Sequence, residues 1–139
     1  MAFVLDASMA ISWYLADESA SCSSIVLDAL VDTHAEVPPL WPFEIANVLA
    51  VNEKKRRITD SASFEFLLTL SRLDIRIDRS QPAIDGNALL PLVRRHGLTA
   101  CDAAYLELAK RKGLALATLD KELIVAAKSD GCALVGQPA

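Results

Sequence analysis

Short apolar runs alternate with longer segments of helical composition along the chain. The first run, Phe3-Val4-Leu5, has the length of a buried strand and leads directly into Asp6 and Ser8. Four further short strands are predicted, at Glu36–Pro38, Ile75–Asp78, Leu114–Thr118 and Ala133–Val135. Because helical segments separate these strands, the pattern favours an α/β fold with a five-stranded parallel sheet and helices on both faces.

The segments between the strands carry the signals of helix ends. Helices are predicted over Ser8 to Leu15, Ser19 to Val31, Phe43 to Lys55, Thr59 to Leu73, Gln81 to Arg95, Thr99 to Lys112 and Lys121 to Ser129, with a turn at Ala16 to Glu18. Pro42 suits the first turn of the third helix, whose nearly continuous apolar surface predicts deep burial. Gly86 and Pro91 predict that the fifth helix is broken or kinked, and Gly113 ends the sixth.

The length and composition fit one domain spanning residues 1–139. No apolar span reaches membrane length, because acidic residues interrupt the first third of the chain. No basic region precedes the first apolar run, so we expect no secretory signal. The cysteines, Cys22, Cys101 and Cys132, are odd in number and far apart, which predicts small buried residues in a reducing cytoplasm.

The net charge and the positions of the basic residues limit the kinds of partner that the chain is expected to bind. The formal net charge of -4 argues against broad, non-specific binding of nucleic acid. The basic residues nevertheless cluster at the ends of predicted helices, in Lys54–Arg57, Arg94-Arg95 and Lys110–Lys112. Two interpretations stay open: each cluster complements a helix dipole, or together the clusters follow a phosphate backbone beside an acidic centre.

Four acidic residues lie where one predicted element gives way to the next: Asp6, Glu44, Asp102 and Asp120. Asp6 and Asp120 each follow an apolar strand, a position that suits a helix N-cap as well as a site. Glu44 begins a helix whose next eight positions carry no charge. A carboxylate buried there needs a hydrogen bond or a cation, and Asn47, one turn further on, is placed to orient it.

Asp102 has two interpretations of its own. With Thr99 it loosely fits a capping box, although Glu or Gln is usual at its position. At helical spacing it also shares a face with Leu106 and Ala109, the side that packs inward. Capping alone does not require that burial, so we interpret Asp102 as functional.

The carboxyl ends of parallel strands share one edge of a sheet, where we expect the four acids to meet. Two like charges about 4 Å apart repel by roughly 4 kcal/mol at an effective dielectric constant of about 20, so such carboxylates need a counter-charge. With His34 and His96 as the only histidines, a zinc site is poorly supported, and an all-oxygen site selects Mg²⁺ or Mn²⁺. Such an ion orients water and stabilises the charge that develops on a phosphodiester.

Four motifs, in order and at the usual separations, carry a resemblance to a known family: Val4–Ser8, Pro42–Asn47, Leu98–Leu106 and Leu116–Asp120. Together they resemble the PIN-domain family, and most closely the VapC-type ribonuclease toxins of bacterial toxin–antitoxin pairs. The resemblance implies a three-layer α/β/α sandwich with a five-stranded parallel sheet. It also implies a metal-dependent endoribonuclease that works in the cytoplasm.

Carried over by position, the resemblance makes Asp6 and Asp102 the direct Mg²⁺ ligands and Glu44 and Asp120 further catalytic acids. The positions that support these carboxylates are Ser8, Asn47 and Thr118. Two positions depart from the family pattern. Glu122 stands where some relatives carry a further Asp, and Cys101 replaces an aromatic residue that is common before the acid.

The resemblance also implies partners: a structured RNA, often transfer RNA, a second copy of the toxin, and an antitoxin protein whose tail reaches toward the acids. Two alternatives stay open. One is a phosphatase or phosphotransferase with Asp6 as nucleophile, although such enzymes need a second Asp where Ser8 stands. The other is a non-catalytic module whose acids dock a basic peptide.

Overall fold

The computed structural model of the chain describes residues 1–15, 20–80 and 85–136 and gives an α/β fold. Its strands are β1 (Phe3–Leu5), β2 (Ala35–Val37), β3 (Ile75–Ile77) and β4 (Ala115–Ala117). They form one parallel sheet in the order β3-β2-β1-β4. In the register, Val4 of β1 lies between Glu36 and Leu116. The strand that leads to Asp6 is therefore interior to the sheet, with a neighbour on each side.

Helices fill the intervals between the strands, as predicted, and the predicted fold class is confirmed. They are α1 (Ala7–Ser12), α2 (Ala20–Ala29), α3 (Trp41–Lys54), α4 (Asp60–Ser71), α5 (Gly86–His96), α6 (Ala100–Lys112) and α7 (Lys121–Ser129). Thr59 and Thr99 cap α4 and α6 through their hydroxyl oxygens, and Gly113 ends α6 in the left-handed conformation. The predicted turn at Ala16 to Glu18 and the predicted helix starts at Ser19 and Gln81 lie outside the described residues.

The predicted fifth strand, Ala133–Val135, is wrong as a strand. Leu134 forms a single parallel bridge with Leu116 beyond the other edge of β4. Gly131 and Gly136 hold left-handed φ values of 72° and 77° on either side, so the chain turns before and after the bridge. The short segment between these turns cannot extend the ladder, and the sheet has four strands.

Helix α3 corrects a second expectation, because it is not deeply buried on all sides. Its buried residues, Trp41, Ile45, Leu49 and Asn52, follow one helical face at spacings of three and four. On the other side Phe43 is 77% exposed. The apolar residues of α3 therefore lie on two faces of the helix, one packed in the core and one exposed to solvent.

Two smaller expectations also differ from the structure. Helix α5 begins at Gly86 and continues through Pro91, so the chain is not broken at Pro91, which lies in the second turn and removes one backbone hydrogen bond. Cys101 is exposed and Cys22 and Cys132 are half-buried, so the prediction of buried cysteines is wrong for Cys101. Among the helices of the described ranges, none is long and apolar enough to cross a bilayer.

The end of α3 offers a test of backbone strain. Arg56 has φ 56°, and the N–H groups of Arg56 and Arg57 bond the carbonyls of Glu53 and Asn52 to close the helix. A side chain in this left-handed conformation costs about 1 kcal/mol, and glycine avoids that cost. We expect Arg56→Gly to raise the free energy of unfolding in urea by about 0.5–1 kcal/mol. Arg56→Ala removes the same charge but keeps the strain, so a gain shared equally by both variants would contradict this account.

Candidate active site

Asp6 follows β1 at the N-cap position of α1, but its side chain makes no capping hydrogen bond. Its Oδ2 atom instead accepts hydrogen bonds from Thr118 Oγ1 at 2.6 Å and Ser8 Oγ at 2.8 Å. The residue is only 4% exposed. Of the two interpretations open for Asp6, the capping role is not the one the side chain fulfils.

The two hydroxyls that hold Asp6 also tie two loops together. Ser8 Oγ accepts from the backbone N–H of Leu119 at 3.1 Å, and Thr118 Oγ1 accepts from that of Asp120 at 3.0 Å. Each hydroxyl thus donates to the carboxylate and accepts from the chain that follows β4. Both bonds to Asp6 use Oδ2, and within the described ranges Oδ1 accepts none. One oxygen of Asp6 is fixed and the other is left for a ligand.

Glu44 lies half-buried in the first turn of α3, where Tyr105 of α6 donates its hydroxyl proton to Oε1. Burial raises the pKa of Glu44, the Tyr105 hydrogen bond opposes the rise, and the charge of Asp102 adds to it. Asn47 is exposed and, in the described part of the chain, makes no hydrogen bond with Glu44. The partner of Glu44 is therefore Tyr105, which the sequence analysis did not single out.

Asp102 stands half-buried in the first turn of α6, and its backbone N–H donates to Thr99 Oγ1 at 3.2 Å. The cap therefore uses the backbone of Asp102 and leaves its carboxylate available. Burial raises the pKa of this carboxyl, and the charges of Asp120 and Asp6 raise it further. The carboxylate of Asp102 is thus near enough to Asp120 and Asp6 for their charges to act on it, and its functional role stays a prediction.

Asp120 is the acid for which capping is observed. Its Oδ1 accepts from the backbone N–H groups of Glu122 at 2.9 Å and Leu123 at 3.1 Å, at the start of α7. Capping does not remove Asp120 from the site, because its charge raises the pKa values of both Asp6 and Asp102. Asp120 thus anchors α7 and adds negative charge to the same region.

The four predicted acids are brought to one end of the sheet, where their charges act on one another. Burial raises the pKa of Asp6, the bonds from Thr118 and Ser8 oppose the rise, and the charges of Glu44 and Asp120 add to it. Glu122, which stands where some relatives carry an Asp, is exposed, and its charge also raises the pKa of Asp102. The region collects negative charge, which a cation would relieve.

The donors fit a hard cation in type and in number. Asp6 and Asp102 supply carboxylate oxygens, and Mg²⁺ commonly binds through one or two carboxylates while keeping several waters. Within residues 1–15, 20–80 and 85–136, no three histidine, cysteine, aspartate or glutamate side chains lie close enough to hold a metal ion among them. A metal here would therefore rest on the Asp6 and Asp102 pair with water completing its shell, and not on a cage of four carboxylates.

The three basic clusters differ in how many of their residues form ion pairs within the fold. At the end of α6, Lys110 binds Asp130, Arg111 binds Asp78, and Lys112 binds Glu36. Arg95 lies 3.8 Å from Asp130. The residues of Lys54–Arg57 are all exposed, and within the described ranges they make no ion pair. Among the described residues, the Lys54–Arg57 cluster is thus the basic cluster in which every residue is exposed and none is engaged in an ion pair.

Comparisons with known proteins agree with this architecture. Among solved structures, PAE2754 from Pyrobaculum aerophilum matches with a TM-score of 0.67 and 23% identity, over 91% of this chain and 79% of that chain. A chain of a toxin–antitoxin complex from Klebsiella pneumoniae matches with a TM-score of 0.59 and 17% identity, over 85% of this chain and 86% of that chain. At these identities the two likenesses concern the fold alone. A comparison with curated proteins gave no match.

The sequence itself gives the family. The profile of the PIN domain matches residues 3–129, from the first residue of β1 to the last residue of α7. All four acids of the site lie inside that range. The chain therefore belongs to the PIN domain family.

Proposed function

We propose that this chain is a metal-dependent endoribonuclease and the toxic component of a VapC-type toxin–antitoxin pair. The observation that carries the proposal is the arrangement of Asp6, which is buried, held through one oxygen by Thr118 and Ser8, and surrounded by other acids. Its family membership supports the same proposal, because PIN domains are generally nucleases. The substrate in this proposal is RNA, with transfer RNA as the first candidate.

In the proposed enzyme, Asp6 and Asp102 hold Mg²⁺, for which Mn²⁺ is an alternative. The bound ion supplies an activated water and a counter-charge for the phosphate in the transition state. Thr118 and Ser8 hold the Asp6 carboxylate in one orientation, which lowers the cost of assembling the site. Glu44 and Asp120 complete the acidic surroundings from α3 and from the start of α7.

Binding of the proposed protein partners requires an exposed binding surface, and three helices carry exposed apolar residues. Ile25, Phe43 and Phe64 are each more than half exposed, on α2, α3 and α4. A groove of about 410 Å³ lies between α3, α4 and β3, with Trp41 and Leu67 among its lining residues. Exposed apolar side chains and an open apolar groove are typical of interfaces. We assign these apolar surfaces to an antitoxin and a second copy of the chain, and the exposed Lys54–Arg57 cluster to RNA phosphates. The proposed location is the cytoplasm.

Metal removal tests the proposed reaction directly. We expect the purified chain to cut total cellular RNA and bulk transfer RNA with Mg²⁺, and to lose this activity in EDTA, because the acids then lack their counter-charge. Excess Mg²⁺ or Mn²⁺ should restore cleavage, as followed by mapping of the RNA ends. Cleavage that continues unchanged in EDTA would contradict a metal-dependent reaction.

The same preparation separates the alternatives. Tight binding of a basic peptide that persists in EDTA, with no RNA cut under any condition, would favour a non-catalytic module. A trapped aspartyl-phosphate at Asp6 would favour a phosphotransferase. In the structure, Ser8 occupies the place of that enzyme's second acid and donates its proton to Asp6.

A further inference from the structure

Tyr105 is a polar residue in the most buried stretch of α6. The residues from Ala103 to Leu106 are all buried, and Tyr105 itself is 0% exposed. It lies three positions after Asp102, so both residues are on one side of the helix. A tyrosine hydroxyl buried in this way requires a hydrogen-bond partner, whereas phenylalanine would fill the same space without one.

The hydrogen-bond partner of the Tyr105 hydroxyl is remote in the sequence. Tyr105 donates to Oε1 of Glu44, 61 positions away in the chain, and so joins α6 to the first turn of α3. The backbone N–H of Ala7, next to Asp6, faces the same hydroxyl oxygen. The Tyr105 side chain thus lies between the loop that carries Asp6 and the helix that carries Glu44.

The hydrogen bond leaves Glu44 with a defined free oxygen. Within the described ranges only Oε1 accepts a hydrogen bond, and no lysine, arginine or histidine there pairs with the carboxylate. A glutamate side chain has three rotatable dihedral angles, and fixing them without a partner costs conformational entropy. Tyr105 is the one group in the described structure that donates a hydrogen bond to this side chain and restricts it.

We propose that Tyr105 is a positioning residue, which fixes the carboxylate of Glu44 within the acidic region of Asp6 and Asp102 by donating its hydroxyl proton to Oε1. The inference rests on the proposed nuclease function. The hydroxyl acts as a neutral donor, and burial together with the neighbouring carboxylates keeps the pKa of Tyr105 far above its ordinary value. Its role is to shape the site, and it does not touch the phosphate.

The test is Tyr105→Phe, with Tyr14→Phe as the matched control. Tyr14 is the only other tyrosine, and it stacks on Phe66 with ring centroids 5.0 Å apart. We expect Tyr105→Phe to slow cleavage of saturating bulk transfer RNA by Mg²⁺-loaded protein by about tenfold or more. The dissociation constant for that RNA in EDTA should stay unchanged, and the thermal midpoint should shift by no more than about 5 °C. Tyr14→Phe should cut at the wild-type rate.

Two further measurements assign the effect to Glu44. Glu44→Gln and the double variant Glu44→Gln/Tyr105→Phe should cut at rates equal within about twofold, because the hydroxyl acts only through that side chain. In metal-free protein, NMR three-bond couplings of Glu44 should show one rotamer in the wild type and averaging in Tyr105→Phe.

The outcomes separate this inference from the function on which it rests. Three results would each overturn the positioning role while leaving a nuclease. They are a wild-type cleavage rate for Tyr105→Phe, an equally large effect of Tyr105→Phe on the cleavage rate in the Glu44→Gln background, and unchanged couplings of Glu44. A wild-type protein that cuts no RNA with Mg²⁺ would instead overturn the proposed function and the catalytic part of this inference with it.

Discussion

Asparagine in place of Asp6 is expected to abolish RNA cleavage without weakening the fold. The substitution keeps the shape of the side chain and leaves an oxygen to accept from Thr118 and Ser8. It removes the charge that is proposed to bind the metal, so we expect cleavage to fall by at least about a thousandfold, which corresponds to about 4 kcal/mol of barrier. The measurement is single-turnover cleavage of bulk transfer RNA in Mg²⁺.

The stability of Asp6→Asn should not fall with its activity. Burial and the neighbouring acids raise the pKa of Asp6 in the folded state, so its ionised form disfavours folding at neutral pH in the absence of metal. Asp6→Asn should therefore unfold at the same temperature as the wild type or higher when both are in EDTA. Asp28→Asn, an exposed substitution on α2, is the control and should change neither property. Wild-type cleavage by Asp6→Asn would end the site assignment, and a marked loss of stability would contradict the account of its burial.

Asp78→Asn is expected to cause the largest loss of stability among single charge changes. Asp78 follows β3 and its side chain is 5% exposed; Arg111 Nη2 lies 2.8 Å from its Oδ2, and Lys112 Nζ lies 3.3 Å from Oδ1. Removing the charge takes the most buried partner from two cations of α6, which keep only the more exposed Glu107 and Glu36, and we expect about 2–3 kcal/mol of lost stability. In a thermal melt this amounts to about 10 °C.

The pH dependence of the stability difference between the wild type and Asp78→Asn tests this expectation. Burial raises the pKa of Asp78, but hydrogen bonds from Ser80, Arg111 and Lys112 outweigh it and hold the pKa well below its ordinary value. A depressed carboxyl pKa contributes stability above the unfolded pKa and loses it as the pH falls toward the folded value. The gap between wild type and Asp78→Asn should thus be full at neutral pH and narrow below about pH 4. A gap that widens in acid would contradict this. Asp74→Asn, whose side chain pairs with the exposed Arg76 in the described structure, should give no measurable change.

Local sequence pattern predicted the elements and the places of the four acids, because both depend on neighbours in the chain. The strand at Phe3–Leu5, the Thr99 cap and the helix Lys121–Ser129 are all observed. The pattern failed where a segment's surroundings decide its form. Leu134 lies in an apolar run typical of a strand, yet the turns at Gly131 and Gly136 leave it only a bridge.

The supporting contacts of the site could not be predicted, because their partners are remote in the chain. Tyr105 and Glu44 are 61 positions apart, and Arg111 and Asp78 are 33 apart. Spacing along one helix did place Tyr105 on the side of Asp102, and that signal was available in the sequence. What spacing could not show is that the hydroxyl would reach Glu44 while the nearer candidate, Asn47, points to solvent.

Helix α6 joins the candidate active site, at its first turn, to a group of ion pairs at its last turn. Asp102 stands in its first turn, and the last turn is held by ion pairs of Lys110, Arg111 and Lys112 with acidic residues of other parts of the fold. At about 1.5 Å per residue, a helix of this length behaves as a stiff rod of about 20 Å. Substitutions at the ion-paired end of α6 that tilt the helix would therefore move Asp102 at its other end, so variation far from the acids is a route by which the proposed activity can change while the acids themselves stay the same.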